Sequence, residues 1–175
     1  MAAFTVIEHD EIGSGGVASW SETGISASYD HLYLEASMRS DRVSAEDQFH
    51  VRLNGSTDAD DYSSTRLTQE GSSVDSGRYA TGDFGYWAYF HQPAASAVAD
   101  TFGALTMWLP NYANTANFKQ AFISSSSGST SGVGVAVTAC LFHSTSAVDQ
   151  ITVTPLNGPN IVQYSTFTLY GVTGA

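Results

Sequence analysis

Hydrolysis of a glycosidic bond asks for two carboxyl groups facing one another across a cleft, about 5–9.5 Å apart. The acid best placed to be held rigidly here is Glu35, inside the alternating run His31 to Met38. A second alternating run, Gln48 to Leu53, sets Arg52 on its outward side. Glu35 and Arg52 are expected to face each other as an exposed cross-strand ion pair worth about 0.2–1 kcal/mol, not as half of a catalytic pair. Asp58, Asp60 and Asp61 offer oxygen atoms to calcium. An EF-hand loop also needs a central glycine and a distant bidentate Glu. The stretch STDADDYSST has neither, so a solvated acidic loop is expected.

The histidines are His9, His31, His50, His91 and His143. No two stand at zinc-motif spacing and there is no cysteine pair beside them. They are expected on the surface, with His31 and His50 pairing across a hairpin. No serine sits in a glycine elbow with a placed base. Cys140 is the sole cysteine, so the chain cannot form an internal disulfide, which suits folding in a reducing cytosol. Its neighbours Val137, Ala139, Leu141 and Phe142 mark it as a small buried hydrophobe rather than a reactive thiol. The reading is of a non-enzyme: no catalytic residues, no metal ligands and no cofactor-binding residues.

These side chains must be positioned by strands. Between Tyr29 and Ser56, Leu32, Leu34, Ala36 and Met38 alternate with polar residues, and Phe49, Val51 and Leu53 do the same after a polar loop. Period-2 alternation of this length is the pattern of strands with one buried and one wet face. The two runs are expected to form the central hairpin of an all-β domain, closed by the turn-forming Asn54-Gly55. Further strands are expected at 4–8, 17–21, 105–109, 118–123, 133–141, 151–153 and 163–172. Residues 56–77 read as a surface excursion with a short strand at 64–68, and 124–132 (SSSSGSTSG) as a low-complexity loop. Residues 94–102 could make a turn or two of helix. The total is about eight to ten strands in one domain spanning 1–175, an antiparallel β-sandwich of jelly-roll type.

Composition limits the partners. A net charge of −11, with six Lys plus Arg, repels phosphate backbones and argues against nucleic acid. No apolar run reaches the roughly eighteen residues of a membrane-spanning helix. The N-terminus lacks the basic and apolar regions of a signal peptide. The run Arg78 to Phe90 stands out, because both of its faces carry large rings. It reads as a strand buried between sheets, as a subunit or capsid contact, or as a platform for stacking sugars. Interfaces enrich Tyr, Trp and Phe, so Phe84, Tyr86, Trp87, Tyr89 and Phe90 are the candidate contact residues.

Several phrases recur in a characteristic order: Gly13-Ser-Gly-Gly16, Tyr29-Asp-His-Leu-Tyr-Leu34 with Arg39-Ser40, and Phe49-His-Val-Arg-Leu-Asn-Gly55 followed by Tyr62-Ser63. Leu109-Pro-Asn-Tyr-Ala113 then precedes Lys119, and Ser165-Thr-Phe-Thr-Leu-Tyr-Gly171 closes the chain. In this order they resemble a family of tailed-phage virion structural proteins, either β-sandwich capsid decoration (cement) proteins or distal domains of tail fibres. The resemblance implies a protein made in the host cytoplasm and carried on the capsid surface. It implies a homo-oligomer, expected to be a trimer, bound to the major capsid protein. The alternative it implies is a host-glycan-binding domain of a fibre or spike. The lack of a shaft-like segment favours the capsid. The acidic Asp58–Asp61 insertion and the aromatic run lie outside the resemblance.

Overall fold

Strong alternation makes strands throughout. The computed structural model of the chain describes residues 3–129 and 132–174, and their side chains except those of 88–90, 129, 132 and 133. In chain order the strands are β1 (Ala3–Glu11), β2 (Trp20–Thr23), β3 (His31–Met38), β4 (Glu46–Leu53), β5 (Tyr62–Glu70) and β6 (Ser73–Tyr79). They continue with β7 (Trp87–Pro93), β8 (Gly103–Pro110), β9 (Lys119–Ser129), β10 (Gly132–Phe142), β11 (Gln150–Pro155) and β12 (Thr166–Thr173). All pairings are antiparallel, in an eight-stranded sheet ordered β1-β12-β3-β8-β9-β10-β5-β6 and a four-stranded sheet ordered β2-β11-β4-β7. The expected antiparallel β-sandwich is what the chain forms, with twelve strands among the described residues rather than eight to ten.

The core lies between the sheets. From the large sheet it takes Leu32, Leu34, Leu105, Met107, Phe167 and Leu169; from the small one Phe49, Val51, Leu53, Ile151 and Val153, all fully buried. Burial of each such side chain contributes about 1.5–3 kcal/mol. Cys140 is buried, and burial pushes its thiol well above the ordinary range.

The central hairpin is not formed. β3 pairs with β12 and β8, whereas β4 pairs with β11 and β7 in the other sheet. Alternation fixes which face of a strand is buried, not which strand lies beside it. The two apolar faces meet across the core instead of side by side. Glu35 therefore lies opposite Thr106 and Thr168, far from any pairing with Arg52, and His31 cannot pair with His50.

Two polar stretches are more ordered than composition implies. Residues 62–79 form the β5–β6 hairpin, with β6 as the sheet edge. The serine run is the second half of β9, with Ser126 opposite Ala104 of β8 and Val135 of β10. Backbone hydrogen bonding to two flanking strands holds it there, so an apolar side-chain pattern is not needed. The early strand shifts from 17–21 to Trp20–Thr23, with Val17 making only an isolated bridge to Ile161. Residues 94–102 form turns without helix; the one helical element described is a 3-10 turn at Ala59–Asp61.

Candidate functional site

The aromatic run divides at the start of β7. Trp87 is wholly buried, its ring packed edge-on against Tyr62 and its indole N–H donating to the Leu141 carbonyl at 3.1 Å. It presents no surface to a partner. The side chains of Tyr89 and Phe90 lie outside the described residues. Phe84 and Tyr86 precede the strand and are half-buried, their rings stacked with centroids 5.3 Å apart. Phe84 meets Tyr79, and Tyr86 lies 4.5 Å from His50 under the Arg52 guanidinium. Arg52 Nε donates to the Gly85 carbonyl, which fixes the loop that carries both rings.

His50 departs from the surface position expected of it. It is buried, and neither ring nitrogen has a hydrogen-bond partner among the described residues. Desolvation, then the neighbouring Arg52 charge, pulls its pKa down to about 4, against a smaller upward pull from Asp47. It is a neutral aromatic spacer at physiological pH. The acidic loop is occupied with its own backbone: Asp58 caps the 3-10 turn by accepting from Asp60 N–H, and Asp61 accepts from the Ser56 hydroxyl.

A larger aromatic surface crosses the outer face of the eight-stranded sheet. Phe4 on β1 touches Tyr170 on β12 and Tyr33 on β3, with centroids 5.9 and 5.8 Å away. Tyr33 stands opposite Trp108 on β8, and Trp108 opposite Phe122 on β9. His31 packs on Trp108 at 5.0 Å. The line spans five adjacent strands, and Phe4 and Phe122 at its ends are 58% and 54% exposed. Outward parity for Tyr33, Trp108 and Tyr170 is readable from alternation. Their assembly into one line depends on register, which local sequence does not contain.

The opposite, inner face of the large sheet carries a cleft of about 260 Å³ where the small sheet ends. Glu46 and Gln48 of β4 and His91 of β7 form one wall. Arg66 and Thr68 of β5, Asp75 of β6, Ser125 and Ser127 of β9, and Gly134 and Ala136 of β10 form the floor and the other wall. Glu46 Oε2 and His91 Nδ1 are 3.2 Å apart, and Arg66 Nη2 meets Asp75 Oδ2 at 3.1 Å. Gly77 lies opposite Arg66; a Cβ there would stand 3.0 Å from Arg66 Nε, so the missing side chain gives the guanidinium its place. Of the cleft residues the sequence offers only His91 as a candidate, and as a metal ligand without a partner at zinc-motif spacing. The signal, small and polar residues at inward positions of β9 and β10, is hidden in the serine run.

The sequence matches no protein-family model and no curated protein. Among solved structures the chain is similar to the Caenorhabditis elegans galectin LEC-6, at 10% identity over 95% of this chain and 96% of that one, with a TM-score of 0.34. A toad ovary galectin in complex with thio-digalactose gives 8% identity, 86% and 98% coverage and a TM-score of 0.35. The carbohydrate recognition domain of Emp46p, in a potassium-bound form, gives 12% identity, 97% and 87% coverage and a TM-score of 0.28. At these scores the likeness carries no assignment for this chain.

Proposed function

We propose that the chain is a phage virion structural protein, a decoration protein that binds the outer capsid shell and stabilises it as a homo-oligomer, with the trimer as the expected form. The observation that supports this reading is the outward line Phe4, Tyr170, Tyr33, Trp108 and Phe122. Contiguous exposed apolar surface of this kind marks contact with another protein, and aromatic side chains dominate interface energetics. The partner is the major capsid protein or a second copy of the chain. The acidic charge of −11 suits a position outside the shell, away from packaged DNA. Binding only to the assembled shell stabilises it by RT ln(1 + [L]/Kd), about 2.7 kcal/mol per site at a hundredfold excess over Kd.

The test replaces Tyr33 and Trp108 together by Ser and measures virion occupancy and heat resistance. Wild-type protein should be present at capsid scale and raise the bursting temperature. The double variant should fold yet leave the shell. Protein found only at the tail tip, on capsids equally heat-resistant without it, would favour the second reading, a host-glycan-binding domain of a fibre or spike. The cleft walled by Glu46, Gln48 and His91 is what supports that alternative.

A further inference from the structure

We propose that the cleft between the Glu46–His91 wall and the inner faces of β9, β10 and β5 is a binding site for one neutral sugar residue. The proposal gives the glycan-binding reading a location, and rests on that reading only for its biological use. The first support is the change of character along two strands. The inward positions of β9 run Ala121, Ile123, Ser125, Ser127, and those of β10 run Phe142, Cys140, Thr138, Ala136, Gly134. One end is core. The other is built of side chains too small to fill the space between the sheets, and the cleft opens there.

The second support is unmet hydrogen bonding. Ser125 and Ser127 are only 5% and 2% exposed, yet neither hydroxyl has a partner among the described residues, and neither does Glu46 Oε1 on the facing wall. Buried polar atoms are nearly always paired, with protein, water or a ligand. Three orphaned groups on one cleft, each able to accept and two able to donate, are matched by hydroxyls that do both. The two serines are on the same strand face, about 7 Å apart at two-residue spacing, which spreads the contacts over a ring rather than a single atom.

Charge selects the class of ligand. Arg66 is neutralised by Asp75, His91 stands on Glu46, and Glu70 adds a further negative group at the rim. No excess positive charge is left to hold a phosphate or carboxylate. The Ala136 methyl and the Gly134 backbone supply apolar surface for ring C–H groups. The volume of about 260 Å³ lies just below that of pockets for drug-sized molecules and suits one sugar ring.

The experiment is amide chemical-shift mapping of the whole chain titrated with methyl glycosides of glucose, galactose, mannose and N-acetylglucosamine, with inorganic phosphate as the charged probe. At least one glycoside should shift the amides of Ser125, Ser127, Gly134 and Glu46 at millimolar concentration. Ser127→Ala should weaken that binding about tenfold. Glu46→Gln, which keeps the shape but changes an acceptor into a donor, should weaken it further. Thermal unfolding of both variants should stay near that of the parent. Shifts from phosphate and none from any glycoside overturn the proposal. So does glycoside binding that both variants retain, which would place sugar recognition elsewhere and leave the glycan-binding reading intact. Adsorption of virions to host cells, blocked or not by the free protein, tests that reading separately.

Discussion

Trp20 lies flat on Phe167, with ring centroids 4.9 Å apart and planes within 5° of parallel. Trp20 belongs to the edge of the small sheet and Phe167 to β12 of the large one, so the stack joins the two layers directly. The indole N–H donates to Asp10 on β1 at 2.7 Å, which extends the tie to the outermost strand. Trp20→Ala should destabilise the protein by about 3–5 kcal/mol. Trp20→Phe, which keeps the stack and loses the hydrogen bond, should cost far less. Urea unfolding of the two variants separates packing from the hydrogen bond; equal losses would mean that the stack contributes little.

Arg39 organises the loop after β7. Its guanidinium donates to the carbonyls of Val98, Thr101, Ala95 and Ala97 at 2.9, 3.1, 3.2 and 3.4 Å. A planar fork serves four oxygens in a way that a lysine ammonium cannot. Arg39→Lys is therefore expected to loosen residues 95–101 while the sheets stay intact. Limited proteolysis should show faster cutting confined to that loop, with far-ultraviolet circular dichroism unchanged.

Asp47 is fully buried and accepts from the N–H groups of Gln48, Asn157 and Gly158 and from the Asn157 amide. Arg42 is 3.8 Å away. The carboxylate pins the turn after β11 to the start of β4. Asp47→Asn puts an NH2 donor where one acceptor oxygen stands, facing this ring of donors, and should cost about 1.5–3 kcal/mol. Gly158→Ala should damage the same contact, since a Cβ there would sit 2.8 Å from Asp47 Oδ2. The two losses, measured by denaturant titration, should be less than additive because they break one interaction.

His50 is expected to make the fold less stable in acid. Its folded pKa is lowered to about 4 from an ordinary 6.5, so between those values the unfolded chain holds a proton that the folded chain does not. Nothing is lost above pH 6.5. Below it the folded state weakens by about 1.4 kcal/mol per pH unit, reaching about 3 kcal/mol near pH 4. His50→Phe should remove this component. Unfolding free energies at pH 7 and pH 4.5 should then differ less in the variant than in the parent; equal slopes would mean that His50 is already charged in the fold.

Alternation along the chain is enough to show that it is β and which face of many strands is inside. Leu32, Leu34, Phe49, Val51 and Leu53, expected on the inward face, are all fully buried, because side-chain alternation is a local property of an extended backbone. What lies beside each strand is not local. Only the tertiary structure separated β3 from β4 into opposite sheets, continued β9 through the serine run, and drew Tyr33, Trp108 and Phe122 into one line. The cleft is the same case: Glu46, Arg66 and Ser127 are far apart in the chain, and their meeting depends on where the small sheet stops over the large one. Register and sheet partner come from the balance of long-range pairings over the whole core, and no stretch of neighbouring residues encodes that balance.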